Sequence, residues 1–362
     1  MELTIDESIL KAYGLTSKNI KLQQIGSGHI NGTYLLTNLS TSEKFVLQYI
    51  NTNVFTNPKA IANNIQEVAA YLSKNSPNYL FPAPLLSQSG EPMAIHDGKY
   101  WRLSPFIADT VALDTLNSPK QAYEAAKQFG KLSRLLNNFD SSKLEATIVG
   151  FHDLELRFEQ FKTALNTAQD AVKDKAAQEI ETALSFQHIL SQYLEFKSNA
   201  DFPNRVMHHD TKISNVLLDK ETFAGVCVID LDTLMPGKFI SDLGDMMRTY
   251  LCEFSENETD LSKITIRVDY FAAMIEGYLS EMGDILTATE KELILFSGHY
   301  IIYMQALRFL TDYLNGSVYY PIHYAEQNLD RTKNQFKLLG ELFANESALQ
   351  EIVEANLVRK QV

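Results

Sequence analysis

Over the first hundred positions, apolar residues fall in short blocks separated by glycine and polar turns. Residues 21–25, 33–37 and 44–50 read as strands, with 38–42 as a hairpin connection between the second and third. Ile61, Ile65, Val68 and Leu72 recur at helical spacing and predict a helix over 61–72. Residues 91–95 and 100–104 flank Asp97-Gly98, a dipeptide suited to a tight hairpin turn. The expected product is a small, mostly antiparallel sheet with one helix.

Beyond Pro105 the pattern changes to long helical periods. Ser118-Pro119-Lys120-Gln121 predicts a capping box with proline at the first helical position, and Phe129, Leu132, Leu135, Leu136 and Phe139 give that helix its apolar stripe. Residues 155–197 are helical but polar, and predict one long solvated hairpin. Helices are also expected near 265–282, 289–314 and 324–343, with Asn315-Gly316 stopping the middle one. The class is therefore α+β in two lobes: a sheet lobe over 1–104 and a larger, mostly helical lobe over 105–362, with the seam at 101–110. A chain of 362 residues is long enough for both.

Composition narrows the chemistry. A net charge of −13 without a clustered basic stretch argues against nucleic acid as a partner. The opening residues MELTIDESIL lack the basic start and apolar run of a secretory signal, and the apolar run IIYMQALRFL is interrupted by Gln305 and Arg308, so no membrane partner is expected. Cys227 and Cys252 are too few for a disulfide framework. A cytoplasmic, monomeric protein with a buried Cys227 thiol is the expectation.

The most informative segment runs from Val206 to Asp219 and is followed by an apolar strand ending in Ile229-Asp230-Leu231-Asp232. Two adjacent strands would deliver Asn215 and Asp230 to one spot as hard oxygen ligands suited to Mg²⁺. Asp210 would orient a substrate hydroxyl, and Lys212 would neutralise a transferring phosphoryl group. A lone Asp in a loop is usually a turn residue; the joint spacing of His208, Asp210, Lys212, Asn215 and Asp230 carries the assignment. It resembles the kinase catalytic loop H-R-D-x-K-x-x-N and its later metal-binding Asp, with His209 in place of the Arg. Asp232 is either a second metal ligand or a partner of the outer shell. Asp245 and Arg248, one helical turn apart, would pair with each other.

Between the first two strands, Gly26, Ser27, Gly28, His29, Asn31 and Thr33 form a segment whose glycines would let backbone N–H groups approach the phosphates of ATP. Gln48 stands where kinases carry the lysine that grips the α/β-phosphates, and Glu67 is the expected counterpart of that lysine's ion-pair partner. Gln48 brings no charge, so neutralisation rests on Mg²⁺ and Lys212. That departure leaves open a nucleotide-binding pseudokinase.

Together these segments resemble the aminoglycoside phosphotransferase-like superfamily, and within it the N-acetylhexosamine 1-kinases. The likeness rests on Gly26-Ser-Gly-His-Ile-Asn31, Leu47-Gln-Tyr-Ile-Asn-Thr-Asn53, His208 through Asn215, and Val228-Ile-Asp-Leu-Asp-Thr-Leu-Met-Pro-Gly237. It implies a bilobal protein-kinase-like fold and ATP-dependent phosphorylation of the anomeric hydroxyl of an N-acetylhexosamine. The same likeness gives Asp242, in Ile240-Ser-Asp-Leu-Gly-Asp245, the task of bracing the catalytic loop. It also puts the sugar between the lobes, with Asp210, Arg308 and Tyr319 as its contacts. Acceptors of the aminoglycoside, choline or homoserine type remain open alternatives.

Overall fold

The structure, a computed structural model, describes residues 5–25 and 31–359. After a short helix α1 (Glu7–Ala12), the N-terminal blocks form strands β1 (Ile20–Gln24), β2 (Gly32–Asn38) and β3 (Lys44–Ile50), followed by helix α2 (Pro58–Asn75) and strands β4 (Ala94–His96) and β5 (Lys99–Pro105). They make one antiparallel five-stranded sheet in the order β1-β2-β3-β5-β4. Asp97 and Gly98 both take positive φ, as a two-residue hairpin turn with this twist requires. The fourth strand starts later than its apolar pattern suggests, because Pro92 has no N–H to give to the ladder.

Strand alternation divides the sheet's two faces. Leu36, Leu47, Trp101 and Leu103 pack with Ile9 and Leu10 into a small core on one face. The opposite parity carries Gln48, Ile50 and Arg102, and Ile50 joins the large core with Ile61, Ile65, Val68 and Leu72 of α2. That stripe is the one the periodicity predicts.

The rest of the chain is mostly helical. Strand β6 (Thr110–Val111) leads to α3 (Pro119–Leu135), where the expected capping box does not form: Ser118 makes no side-chain cap, and the Gln121 side chain accepts the N–H of Asn117, one residue before the N-cap, at 2.8 Å. The expected long hairpin is four helices instead: α4 (Leu154–Thr167), α5 (Asp170–Lys175), α6 (Ala177–Ser185) and α7 (His188–Lys197). It does not stand in solvent, because Phe158, Phe161, Ala176, Ala183 and Ile189 are all buried in the large core.

Strands β7 (Arg205–Met207), β8 (Val216–Asp219), β9 (Gly225–Val228) and β10 (Met235–Gly237) follow. Two small sheets result, β10-β7 and β6-β8-β9. Helices α8 (Ile240–Tyr250), α9 (Val268–Met282), α10 (Ala288–Glu292), α11 (Ile294–Leu314), α12 (Gln327–Ala344) and an additional α13 (Glu346–Arg359) complete the lobe. Gly244 lets α8 cross α11 closely, since a Cβ there would lie 2.1 Å from the Ser297 carbonyl oxygen. Asn315 caps α11 and Gly316 turns the chain with positive φ. Both cysteines are buried free thiols. No helix among the described residues is long and apolar enough to cross a membrane.

Candidate active site

The loop after β7 is held from below by the first turns of α8. Asp242, 1% exposed, accepts the backbone N–H groups of His208 at 2.9 Å and His209 at 2.7 Å. Burial pushes its carboxyl up to about 6 despite those donors. Asp245 accepts the Thr211 N–H at 2.8 Å and pairs with Arg248, while the Thr211 hydroxyl donates to the Asp242 carbonyl at 2.7 Å. The His208 ring faces a carbonyl (Ile229, 2.9 Å) at Nε2 and the Asp210 N–H at Nδ1. Nε2 must therefore donate and Nδ1 accept, which assigns the neutral Nε2–H tautomer. His209 sits at φ +66 with Nδ1 against the Met207 and Thr233 carbonyls, and burial pushes its pKa down to about 4.

These braces leave Asp210 at the loop's outer turn, with its side chain 27% exposed. Lys212 Nζ lies 2.8 Å from Asp210 Oδ2, and Asn215 Nδ2 donates to the same oxygen at 2.9 Å and to the Asp210 carbonyl at 2.8 Å. Burial pulls the Asp210 pKa up, but the Lys212 ammonium and the Asn215 amide outweigh it and hold the carboxyl below its usual value. Lys212 is correspondingly raised by Asp210 and Asp230, against its own burial.

Strand pairing delivers the two expected metal ligands. Val216 opposes Val228, and the Ile229 N–H donates to the Asn215 carbonyl at 2.9 Å, so Asn215 and Asp230 leave neighbouring strand ends. With Nδ2 committed to Asp210, Asn215 keeps Oδ1 as an available acceptor. Asp230 holds a left-handed conformation (φ 59, ψ 59), which a non-glycine residue keeps only when its surroundings impose it. Burial, reinforced by Asp232 and Asp210, pushes its carboxyl up to about 7. Carboxylates crowded this way are what a divalent cation relieves, and the amide and carboxylate oxygens match the donors Mg²⁺ takes.

Of the residues assigned to the nucleotide, Gly26, Ser27, Gly28 and His29 lie outside the described residues. Asn31 is described: its Oδ1 accepts the Asn51 N–H at 2.9 Å and its Nδ2 donates to Asp232 Oδ2 at 2.6 Å. Gln48 Nε2 donates to the Thr33 hydroxyl at 3.1 Å, and Gln48 Oε1 accepts from Arg102 Nε at 3.0 Å. Arg102 also forms a short ion pair with Asp232 through Nη1. Both Asp232 oxygens are thus engaged by the small sheet and the segment leading into it, which favours an outer-shell partner over a metal ligand. Glu67 does not take the expected place. It faces solvent, one position off the buried stripe of α2, and the polar side chain that α2 buries is Asn64, bonded to the Glu145 and Leu234 carbonyls. Arg102 was the residue that the sequence did not single out. Its signal is an arginine inside an apolar strand, which gains meaning only once the register sets it opposite Gln48.

On the other side of the loop after β7, Arg308 of α11 places its guanidinium 5.2 Å from the Phe151 ring centre and 6.0 Å from that of Tyr319. Asp312 orders the 318–320 segment by accepting the N–H groups of Val318, Tyr319 and Tyr320. Phe151 and His152 stack on each other and both lie against the His209 ring, at 6.4 and 5.4 Å. Arg308 is therefore one layer of rings away from the residue preceding Asp210, and Tyr319 lies against Arg308. Burial and the Arg308 charge together pull Arg157 down to about 10. Neither arginine forms an ion pair among the described residues; Arg308 donates to Gln305, and Arg157 to Gln160 and the Phe151 carbonyl.

Comparison with known proteins supplies a context for this geometry. The profile of the family described as "Phosphotransferase enzyme family" (APH) matches residues 21–269. A microcompartment-associated aminopropanol kinase superposes with a TM-score of 0.66 at 16% identity, covering 95% of this chain and 97% of that one. An aminoglycoside phosphotransferase from Alicyclobacillus acidocaldarius gives 0.64 at 12% identity over 98% and 97%. A spectinomycin phosphotransferase solved with ADP and spectinomycin gives 0.59 at 15% identity over 92% and 95%. At these identities the likeness establishes the fold.

Proposed function

The chain belongs to the phosphotransferase enzyme family (APH), and on that premise we propose that it is an ATP- and Mg²⁺-dependent kinase that phosphorylates the anomeric hydroxyl of an N-acetylhexosamine. The observation that carries the reaction class is the meeting of Asp210, Lys212 and Asn215 at one oxygen, beside a crowded Asp230. Asp210 stays ionised at neutral pH and offers its partly exposed carboxylate to the acceptor hydroxyl. The acceptor oxygen forms a bond to the γ-phosphorus as the bond from phosphorus to the β–γ bridging oxygen breaks. The hydroxyl proton passes to Asp210, and ADP leaves. Because its pKa is depressed, Asp210 contributes chiefly by positioning, and an anomeric hydroxyl, more acidic than an ordinary alcohol, suits so weak a base. Asn215 and Asp230 would hold Mg²⁺, which when bound neutralises phosphate charge. Lys212 adds the protein's own cation there.

The acceptor class is supported by the surroundings of Arg308. An amino alcohol or an aminoglycoside would bring ammonium groups toward Arg308 and Arg157, neither of which forms an ion pair with a carboxylate among the described residues. A sugar brings neutral hydroxyls and an acetamide carbonyl that accept guanidinium hydrogen bonds, with Phe151 and Tyr319 as flat apolar faces. ATP consumption should be measured with N-acetylglucosamine, N-acetylgalactosamine, aminopropanol, choline and an aminoglycoside, with the phosphorylated position read by phosphorus NMR. Turnover confined to the amines removes the sugar assignment. Asp210→Asn should retain nucleotide binding and lose several orders of magnitude in kcat; near-normal turnover removes Asp210 from the reaction.

A further inference from the structure

We propose that Arg102 is the small sheet's phosphate-binding cation, supplying from β5 the charge that Gln48 does not bring on β3; this rests on the ATP-dependent reading above. Gln48 and Arg102 are direct partners in the β3–β5 register, so both side chains leave the sheet on the same face. That face lies opposite the small core of Leu47, Leu103 and Trp101 and is turned toward the Asp230 segment. The charge missing at one strand is therefore present on its neighbour, in the same direction.

The amide at position 48 is matched to this arrangement. Thr33 fixes its Nε2 end, which leaves Oε1 to accept from Arg102 Nε. A lysine at 48 would instead set an ammonium against the guanidinium, donor against donor. Gln48 and Arg102 thus form a unit in which glutamine aims an arginine. Arg102 is only 3% exposed, and a buried guanidinium is tolerable only with a counter-charge. Asp232 provides it through Nη1, while Nη2 makes no hydrogen bond among the described residues. The planar fork of arginine is suited to bonding phosphate oxygens while keeping such a partner.

Asn31, which follows the glycine-containing segment, bonds the second oxygen of Asp232. One carboxylate therefore gathers the end of that segment, the Arg102 cation and the strand end that carries Asp230. Nucleotide phosphates held at Asp230 would lie beside this junction.

The test is calorimetric binding of Mg-ATP, AMP and adenosine to the full chain and to Arg102→Gln, Arg102→Lys and the exchange variant Gln48→Lys/Arg102→Gln, with thermal melts as the folding control. Arg102→Gln should weaken Mg-ATP about 10- to 100-fold while leaving adenosine within about 2-fold, the range expected for one charge-assisted contact. Arg102→Lys should lose less. The exchange variant, which keeps the number of charges and so guards against an unfolded single variant, should regain most of the preference for ATP over adenosine. A folded Arg102→Gln with the full preference overturns the proposal, as does equal weakening of all three ligands or a folded exchange variant that recovers nothing. A wild-type chain that shows no preference for Mg-ATP over adenosine overturns the kinase reading itself, and this proposal with it.

Discussion

Asp242→Asn separates the stability of the catalytic loop from its geometry. In the native chain one buried carboxylate accepts the N–H groups of His208 and His209. The amide keeps one oxygen for one of these donors and turns an NH₂ toward the other. An orphaned buried donor costs about 1–3 kcal/mol. Against this, burial has pushed the carboxyl from 3.8 to about 6, which corresponds to about 3 kcal/mol of destabilisation once the group is ionised. The sign follows from proton counting. Between pH 3.8 and about 6 the folded chain holds a proton that the unfolded chain has released, so stability falls as pH rises through that window. Below it Asp242 stabilises the fold relative to asparagine; above it the two nearly cancel. Urea unfolding followed by circular dichroism at pH 4 and pH 7.5 should show the native-minus-variant difference shrinking by about 2 kcal/mol, because part of the window is already crossed at pH 4. At pH 7.5 the variant should be folded but slow, because a loop displaced by about 1 Å costs on the order of 10² in kcat. A stability difference that does not change with pH, or a variant with native kcat, refutes the reasoning.

Two further substitutions probe the neighbouring electrostatics. Lys212→Met removes the foremost influence opposing burial at Asp210, so the Asp210 pKa should rise and the acid limb of the kcat profile should move to higher pH, with kcat at the plateau down by about 10²; a pH profile that stays in place contradicts it. Glu290→Ala strips a fully buried carboxylate from its two-pronged pair with Arg205, both contacts at 2.7 Å, at the start of the strand that enters the catalytic loop. Loss of such a partner should cost about 3–5 kcal/mol in chemical unfolding, and a loss under about 1 kcal/mol would show that Asn137 and the Ile285 carbonyl already satisfy the arginine.

By itself the sequence determined what is local. The short apolar blocks give the sheet, the Ile61-Ile65-Val68-Leu72 spacing gives a buried helix stripe, and Asp97-Gly98 gives the hairpin, because periodicity and turn chemistry act over a few residues. The relation of Asp210 to Lys212 and Asn215 is legible for the same reason: a few residues of loop cannot separate them far in space. Tertiary structure decided the rest. Gln48 meets Arg102 across 54 residues, and Arg102 meets Asp232 across 130, through a strand register that would turn both side chains to the other face if it slipped by one position. Glu67 turns to solvent, residues 155–197 break into four packed helices, and Phe151 comes between Arg308 and His209, all because burial area is settled between distant segments. The absent lysine can be read from the chain alone, but the arginine standing beside that position appears only when two strands are laid in register.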